Sequence, residues 1–279
     1  MNEIEKSMRK LVRELLTNGE IDLFIGYEEG SVKNSVRPTT VRSRDETEKL
    51  IWNKFCKNNL ALYLLGMEER IGIVTKGCDS RAIIELIKEG QVNRENLYII
   101  GVPCRGMLSR DGELYDSCKK CKYKNPVTFD FMLGERVKEN DEEDFSDLEE
   151  IENLPIKERL EFWKRQFDKC INCNACRNIC PLCYCKECVF DKKNPEWISK
   201  PRNSGDKWFF HITRAVHLAG RCVDCGECER ACPVGIPIRK LYRKVNRDVK
   251  ELFDYEPGVS PDDKNPLIVF DTERDEEIL

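Results

Sequence analysis

Hydrophobic positions in the first 135 residues switch repeatedly between helical and strand-like spacing. Met8, Leu11, Val12, Leu15 and Leu16 recur at the three- and four-residue steps of one helix face, with Gly19 as a stop. The run 21–27 (IDLFIGY) predicts a strand, and the stretch from Leu50 to Leu65 predicts a second helix. Residues 71–77 (IGIVTKG) read as a buried strand closed by glycine. Residues 79–90 read as a helix that Asp79 or Ser80 caps and Gly90 ends, and 96–103 as the next strand. Strand, helix and strand within about 30 residues make a βαβ unit. The expected fold of residues 1–135 is therefore a small α/β domain with a parallel sheet.

Polarity then changes. Residues 135–153 (ERVKENDEEDFSDLEEIEN) are acidic and poor in apolar residues. They predict a linker over 136–154, with an acidic surface that docks a partner as the competing reading. Helical spacing resumes after Pro155, with Ile156, Leu160, Trp163 and Phe167 along one face. Further helices are expected over 208–221 and 236–253, giving a mainly α-helical second domain over 155–256. Residues 257–279 are rich in proline and acid and read as an extended surface tail. Around 197–214, Trp197, Lys200, Arg202, Lys207 and Trp208 either form a docking surface or cover the second domain's core.

Composition narrows the classes of function. Lys and Arg number 47 against 51 Asp and Glu, a net charge of −4, which excludes a generally basic nucleic-acid binder. No apolar run approaches the ~20 residues that cross a bilayer. The N-terminal MNEIEKSMRKLVRELL lacks the apolar core of a signal peptide, so a cytoplasmic location is expected. Sixteen cysteines in 279 residues are the exception to ordinary usage. A chain of this length does not need disulfide staples, and thiols at short spacings in a reducing compartment are read as metal ligands.

Eight of the sixteen form two copies of one motif. The first is Cys170-x2-Cys173-x2-Cys176-x3-Cys180-Pro181, the second Cys222-x2-Cys225-x2-Cys228-x3-Cys232-Pro233. Both match the bacterial ferredoxin pattern for a pair of 4Fe-4S clusters, in which the fourth cysteine of each run serves the other cluster. The expected ligand sets are Cys170, Cys173, Cys176 and Cys232 for cluster 1, and Cys222, Cys225, Cys228 and Cys180 for cluster 2. Structural zinc uses paired C-x2-C elements rather than a triple followed by x3 and proline. The flanking helices resemble the helical ferredoxin domains of heterodisulfide reductase and succinate dehydrogenase iron–sulfur subunits. His211 and His217 do not share a helix face and read as packing or surface residues.

In the first domain Cys78 follows one strand and Cys104 the next, with Cys118-x2-Cys121 soon after. Parallel strand ends share one sheet edge, where these four thiols are able to converge, although a single C-x2-C equally suits zinc or redox chemistry. Lys76 and Arg81 flank Cys78 at a strand-to-helix turn that is also able to receive a phosphate. Without a glycine-rich phosphate loop, they read as surface or cluster-tuning charges. The order strand-G-x-C, strand-G-x-P-C and C-x2-C resembles the beta subunits of deazaflavin-coenzyme-linked hydrogenases and formate dehydrogenases over residues 71–134. That resemblance implies a third 4Fe-4S cluster on Cys78, Cys104, Cys118 and Cys121, beside FAD held by this chain or by a partner. The run CNACRNICPLCYCKEC also resembles the dicluster subunits of sulfhydrogenases and anaerobic sulfite reductases.

Four cysteines remain. Cys56, Cys183, Cys185 and Cys188 make either a fourth cluster, with Cys56 supplied by the first domain, or, for Cys56, a buried packing thiol. No Ser/His/Asp set, catalytic carboxylate pair or two-histidine zinc motif is present. The reading is an iron–sulfur electron-transfer subunit of a cytoplasmic anaerobic complex. The resemblances imply flavoprotein, heterodisulfide reductase-like, hydrogenase or formate dehydrogenase partners, with no nucleic acid and no membrane span. Two alternatives stand beside it: a flavin-dependent oxidoreductase that itself reduces a deazaflavin coenzyme, and a zinc-stabilised interaction module.

Overall fold

The computed structural model describes residues 2–140, 142–199 and 203–269. The chain divides into two compact units, Met1–Asp144 and Phe145–Leu279.

In the first unit, α1 (Glu3–Thr17) starts where the Asn2 side chain accepts the Glu5 amide at 2.8 Å, and it buries Met8, Val12 and Leu15. The sheet follows as β1 (Leu23–Glu29), β2 (Val36–Val41), β3 (Ile71–Thr75), β4 (Leu97–Gly101) and β5 (Phe131–Met132), in the spatial order β2-β1-β3-β4-β5. All neighbours pair in parallel except β1 and β2. The expected parallel core is present, but the sheet is mixed. The antiparallel edge strand β2 carries Pro38 and only one fully buried residue, so its sequence lacks the apolar run of a core strand. Helix α2 (Gly77–Lys88) joins β3 to β4, and the one-turn α3 (Asp116–Lys119) lies between β4 and β5.

The helix expected from Leu50 to Leu65 does not form; only a short 3-10 turn, Leu60–Leu64, appears. Leu50, Ile51, Trp52, Cys56, Leu60, Ala61 and Leu64 are all buried, while Lys54 and Tyr63 are the exposed positions, a pattern that does not follow one helix face. Its asparagines favour turns instead. Asn53 accepts the Phe55 amide at 2.8 Å and Asn59 the Ala61 amide at 3.1 Å. The Ile51 amide is spent on the Tyr27 carbonyl and the Leu60 amide on the Asp79 carboxylate.

Helix α2 also starts earlier than the spacing suggests. Lys76 is its N-cap, and Asp79 sits three residues in, where its carboxylate accepts the Lys76 amide at 2.7 Å. Gly90, with φ +65°, ends the helix as expected.

The second unit is helical: α4 (Glu149–Glu152), α5 (Ile156–Asp168), α6 (Ala175–Asn178), α7 (Ser204–His217), α8 (Glu227–Arg230) and α9 (Ile238–Phe253). Part of the acidic stretch read as a linker belongs here. Leu148 and Ile151 are buried, Asp147 pairs with Arg239 and Arg243, and Glu152 pairs with Lys244 and Arg247. Its charges match the basic face of α9, which no local pattern displays.

Along α5, Trp163 and Phe167 are buried as expected, but Ile156 is 82% and Leu160 51% exposed. Phe167 stacks on His211 at 4.6 Å and meets the Trp208 ring edge-on, which makes His211 a core residue; His217 is exposed. Lys207 donates to the Asp168 carbonyl at 3.0 Å, so Lys207 and Trp208 engage their own unit. Trp197 is exposed, and Lys200 and Arg202 lie outside the described residues. The tail's first part holds a buried Asn265 that donates to the Gly220 carbonyl at 3.0 Å; residues 270–279 lie outside the described residues.

Candidate metal centres

The two cysteine runs fold into matching loops. In each, the residue before the second cysteine and the residue after it are left-handed: Asn172 (φ +59°) and Asn174 (φ +57°), then Asp224 (φ +55°) and Gly226 (φ +76°). Asparagine, aspartate and glycine are the residues that bear this conformation at least cost. The paired reversals turn the chain sharply around Cys173 and Cys225, and the one-turn helices α6 and α8 lead on to Cys180 and Cys232. Backbone amides face the sulfurs. The Asn172 amide donates to Cys170 Sγ and the Ile236 amide to Cys232 Sγ, each at 3.4 Å.

Several of these thiols lie close enough to act on one another. Burial pushes the Cys176 thiol up, Arg214 opposes the shift, and Cys170, Cys232 and Cys173 add to it from close by. Burial likewise raises Cys228, with Cys222 and Cys225 as its nearest thiols. Cys225 is pushed up to about 12, chiefly by burial. Cys180 lies beside Cys225 but also shares a hydrogen bond with Cys183. That bond, together with Arg214, holds the Cys183 thiol below the usual range; the bond and burial raise Cys180 against the pull of Arg214. Cys188 packs against Phe190 and Phe210, whereas Cys185 is exposed.

Two polar networks brace these loops, and neither is legible in the cysteine spacing. The Asp224 side chain is only 13% exposed, and Arg239 and Arg243 both pair with it from α9. Burial works against the charged carboxylate, but the two guanidiniums outweigh it and hold Asp224 below the usual carboxylate range. Arg214, on α7, donates to the Cys176 carbonyl at 3.1 Å, to Cys183 Sγ at 3.4 Å and to the Tyr242 hydroxyl at 2.7 Å.

In the first unit Cys78 sits in the first turn of α2, Cys104 follows β4, Cys118 lies in α3 and Cys121 just beyond it. The Gly106 amide donates to Cys104 Sγ at 3.3 Å and the Met107 amide to Cys118 Sγ at 3.4 Å, and the two thiols interact. A methyl group on Gly77 would lie 3.0 Å from the Asn125 carbonyl oxygen and closer still to that of Tyr123. The turn bearing Cys78 is therefore pressed against the segment that follows Cys121.

Lys76 is buried rather than on the surface. Its ammonium reaches the Tyr27 hydroxyl at 2.6 Å, the Asp79 carboxylate at 2.8 Å and the Asn58 carbonyl at 2.9 Å, which uses all three of its donors. Arg81, also buried, lies over the Tyr123 ring at 4.1 Å. Cys56 is fully buried beneath them, accepts the Asn53 amide at 3.3 Å, and is pushed up to about 12 by burial.

Among the described residues, no three His, Cys, Asp or Glu side chains are grouped to hold a single metal ion. The donor sets are instead all-sulfur, with backbone amides on the sulfurs. A buried Arg214 Nε–H also lies among the thiols without an acceptor among the described residues. All-sulfur donors with N–H groups aimed at them suit iron–sulfur groups, whose sulfurs accept such bonds.

Comparison with known proteins agrees with this chemistry. Residues 166–236 match the family model of the 4Fe-4S dicluster domain. The F420-dependent formate dehydrogenase subunit beta of Methanocaldococcus jannaschii is 24% identical over 346 residues, covering 89% of this chain and 90% of that protein. The F420-dependent formate dehydrogenase 1 subunit beta of Methanococcus maripaludis is 23% identical, covering 92% and 90%. A chain of the F420-reducing [NiFe] hydrogenase complex from Methanosarcina barkeri overlays with a TM-score of 0.31 at 18% identity, over 42% of this chain and 44% of that one. No helix among the described residues is long and apolar enough to cross a membrane. Along about nine-tenths of its length the chain resembles the F420-linked formate dehydrogenase beta subunits, and it carries a 4Fe-4S dicluster domain in its helical C-terminal region.

Proposed function

We propose that this chain is the electron-relaying iron–sulfur subunit of a cytoplasmic, anaerobic oxidoreductase complex of the F420-linked formate dehydrogenase or hydrogenase kind. It would pass single electrons between a flavoprotein and a further redox subunit. The pair of matching left-handed loops carries this reading, and it is supported by the influence of Cys170, Cys173 and Cys232 on the Cys176 thiol and of Cys222 and Cys225 on Cys228. An iron–sulfur cluster accepts and releases one electron at a time, at a potential set by hydrogen bonds, charge and exposure. The chain's own part is to fix the sulfurs, direct amides at them and keep water away.

In this reading Cys170, Cys173, Cys176 and Cys232 hold cluster 1, and Cys222, Cys225, Cys228 and Cys180 hold cluster 2. Cys78, Cys104, Cys118 and Cys121 hold a third, for which the amides on Cys104 and Cys118 are the support. Cys56 is taken as a packing thiol, because it is buried against Asn53, Lys76 and Asp79 inside the first unit. No fourth cluster is then needed. Flavin is assigned to a partner. The alignment with the M. jannaschii subunit runs longer than the 279 residues of this chain, so that relative carries segments with no counterpart here.

Anaerobic metal and sulfide analysis of the full chain tests the proposal. About twelve iron and twelve acid-labile sulfide are expected per chain, and Cys118→Ser should remove about four iron without changing the dicluster spectrum. Zinc without labile sulfide would overturn the reading in favour of an interaction module. Unchanged iron in Cys118→Ser would remove the third centre.

A further inference from the structure

We infer that Arg214 is a positioning residue of the first ligand loop, whose buried charge, set beside sulfurs of both ligand sets, makes both centres of the dicluster domain easier to reduce. The inference rests on the dicluster reading above. Arg214 is 2% exposed, and its fork reaches the first run at Cys176 and the adjoining Cys183. One nitrogen donates to the Cys176 carbonyl of the first loop and to Cys183 Sγ. Cys183 is in turn hydrogen-bonded to Cys180, which serves the second set. The guanidinium also interacts electrostatically with Cys176, Cys180 and Cys183, and it bears on the Cys228 thiol.

The charge balance around this group is unusual. Arg239 and Arg243, in the same unit, are each paired with Asp224 and Asp147. Arg214 has no carboxylate partner among the described residues; Phe210 and Tyr242 flank it, and its Nε–H has no acceptor. A buried guanidinium without a counter-charge is costly, so its balance has to come from the sulfurs around it. Uptake of one electron from a redox partner, or from dithionite, adds one negative charge to a centre and breaks no bond. A fixed cation in a medium of low dielectric favours that added charge and raises the potential.

Redox titration of the anaerobically loaded full chain, followed by electron paramagnetic resonance, tests the inference. Arg214→Gln is expected to keep the wild-type iron and sulfide content while both dicluster midpoint potentials move to more negative values. Arg214→Lys keeps the charge but cannot span both contacts, so at least one potential should recover towards wild type. Unchanged potentials in a fully loaded Arg214→Gln would overturn the inference, as would a shift of only one centre. If Arg214→Gln fails to load, Arg214→Met, neutral and of similar length, decides. A fall in both potentials relative to wild type supports the inference, and two unchanged potentials overturn it. Absence of two ferredoxin-type signals in the wild type would instead overturn the dicluster reading itself.

Discussion

Asp224 combines a backbone and a side-chain role in one residue. Its left-handed φ turns the second loop, and its largely buried carboxylate draws Arg239 and Arg243 of α9 onto that loop. Truncation to alanine leaves two nearly inaccessible guanidiniums short of their counter-charge. Removing one partner of such a buried group typically costs about 3–5 kcal/mol. Asp224→Ala should therefore lower the denaturant midpoint of the chain and release iron from the second ligand set, as urea titration and iron analysis would show. At this scale the sequence is uneven in what it reveals. The cysteines declare their chemistry because their spacing is dictated by the group they hold. Arg214 and Lys76 do not, since a buried arginine or lysine has the same letters around it as an exposed one, and only the fold decides what it faces.

Elements show the same contrast. The β3-α2-β4 unit is readable because its apolar runs are short, rich in isoleucine and bounded by glycine, which suits buried parallel strands. Strands β2 and β5 are not, being a half-exposed edge and a two-residue bridge that exist through pairing with neighbours. The stretch from Leu50 to Leu65 is misleading because its apolar residues are buried by irregular turns that its asparagines cap, not along one helix face. In the dicluster unit, the matching loops make the two repeats interchangeable at their turns. Asn174 and Gly226 occupy equivalent left-handed positions. Asn174→Gly should therefore load iron as the wild type does. Gly226→Val should load less and melt earlier, since a branched side chain in that conformation costs about 1–2 kcal/mol. Iron content and thermal unfolding of the two variants, side by side, provide the check.

At the scale of the whole molecule, the function depends on what the chain meets. The sequence shows no Ser/His/Asp set and no catalytic carboxylate pair. The loaded full chain should accept electrons from dithionite yet show no turnover with F420 or nicotinamide coenzymes in an anaerobic absorbance assay. Steady coenzyme reduction with stoichiometric bound flavin would make it an enzyme in its own right.

The acidic segment carries a practical consequence for anyone dividing this protein. A cut at Pro155, where the apolar pattern resumes, would take Asp147 from Arg239 and Arg243, and Glu152 from Lys244 and Arg247. It would also uncover the surface that Leu148 and Ile151 now close. A dicluster fragment able to stand alone has to begin ahead of Phe145, so the shortest expressible piece is set by ion pairs made some ninety residues away rather than by the cysteines.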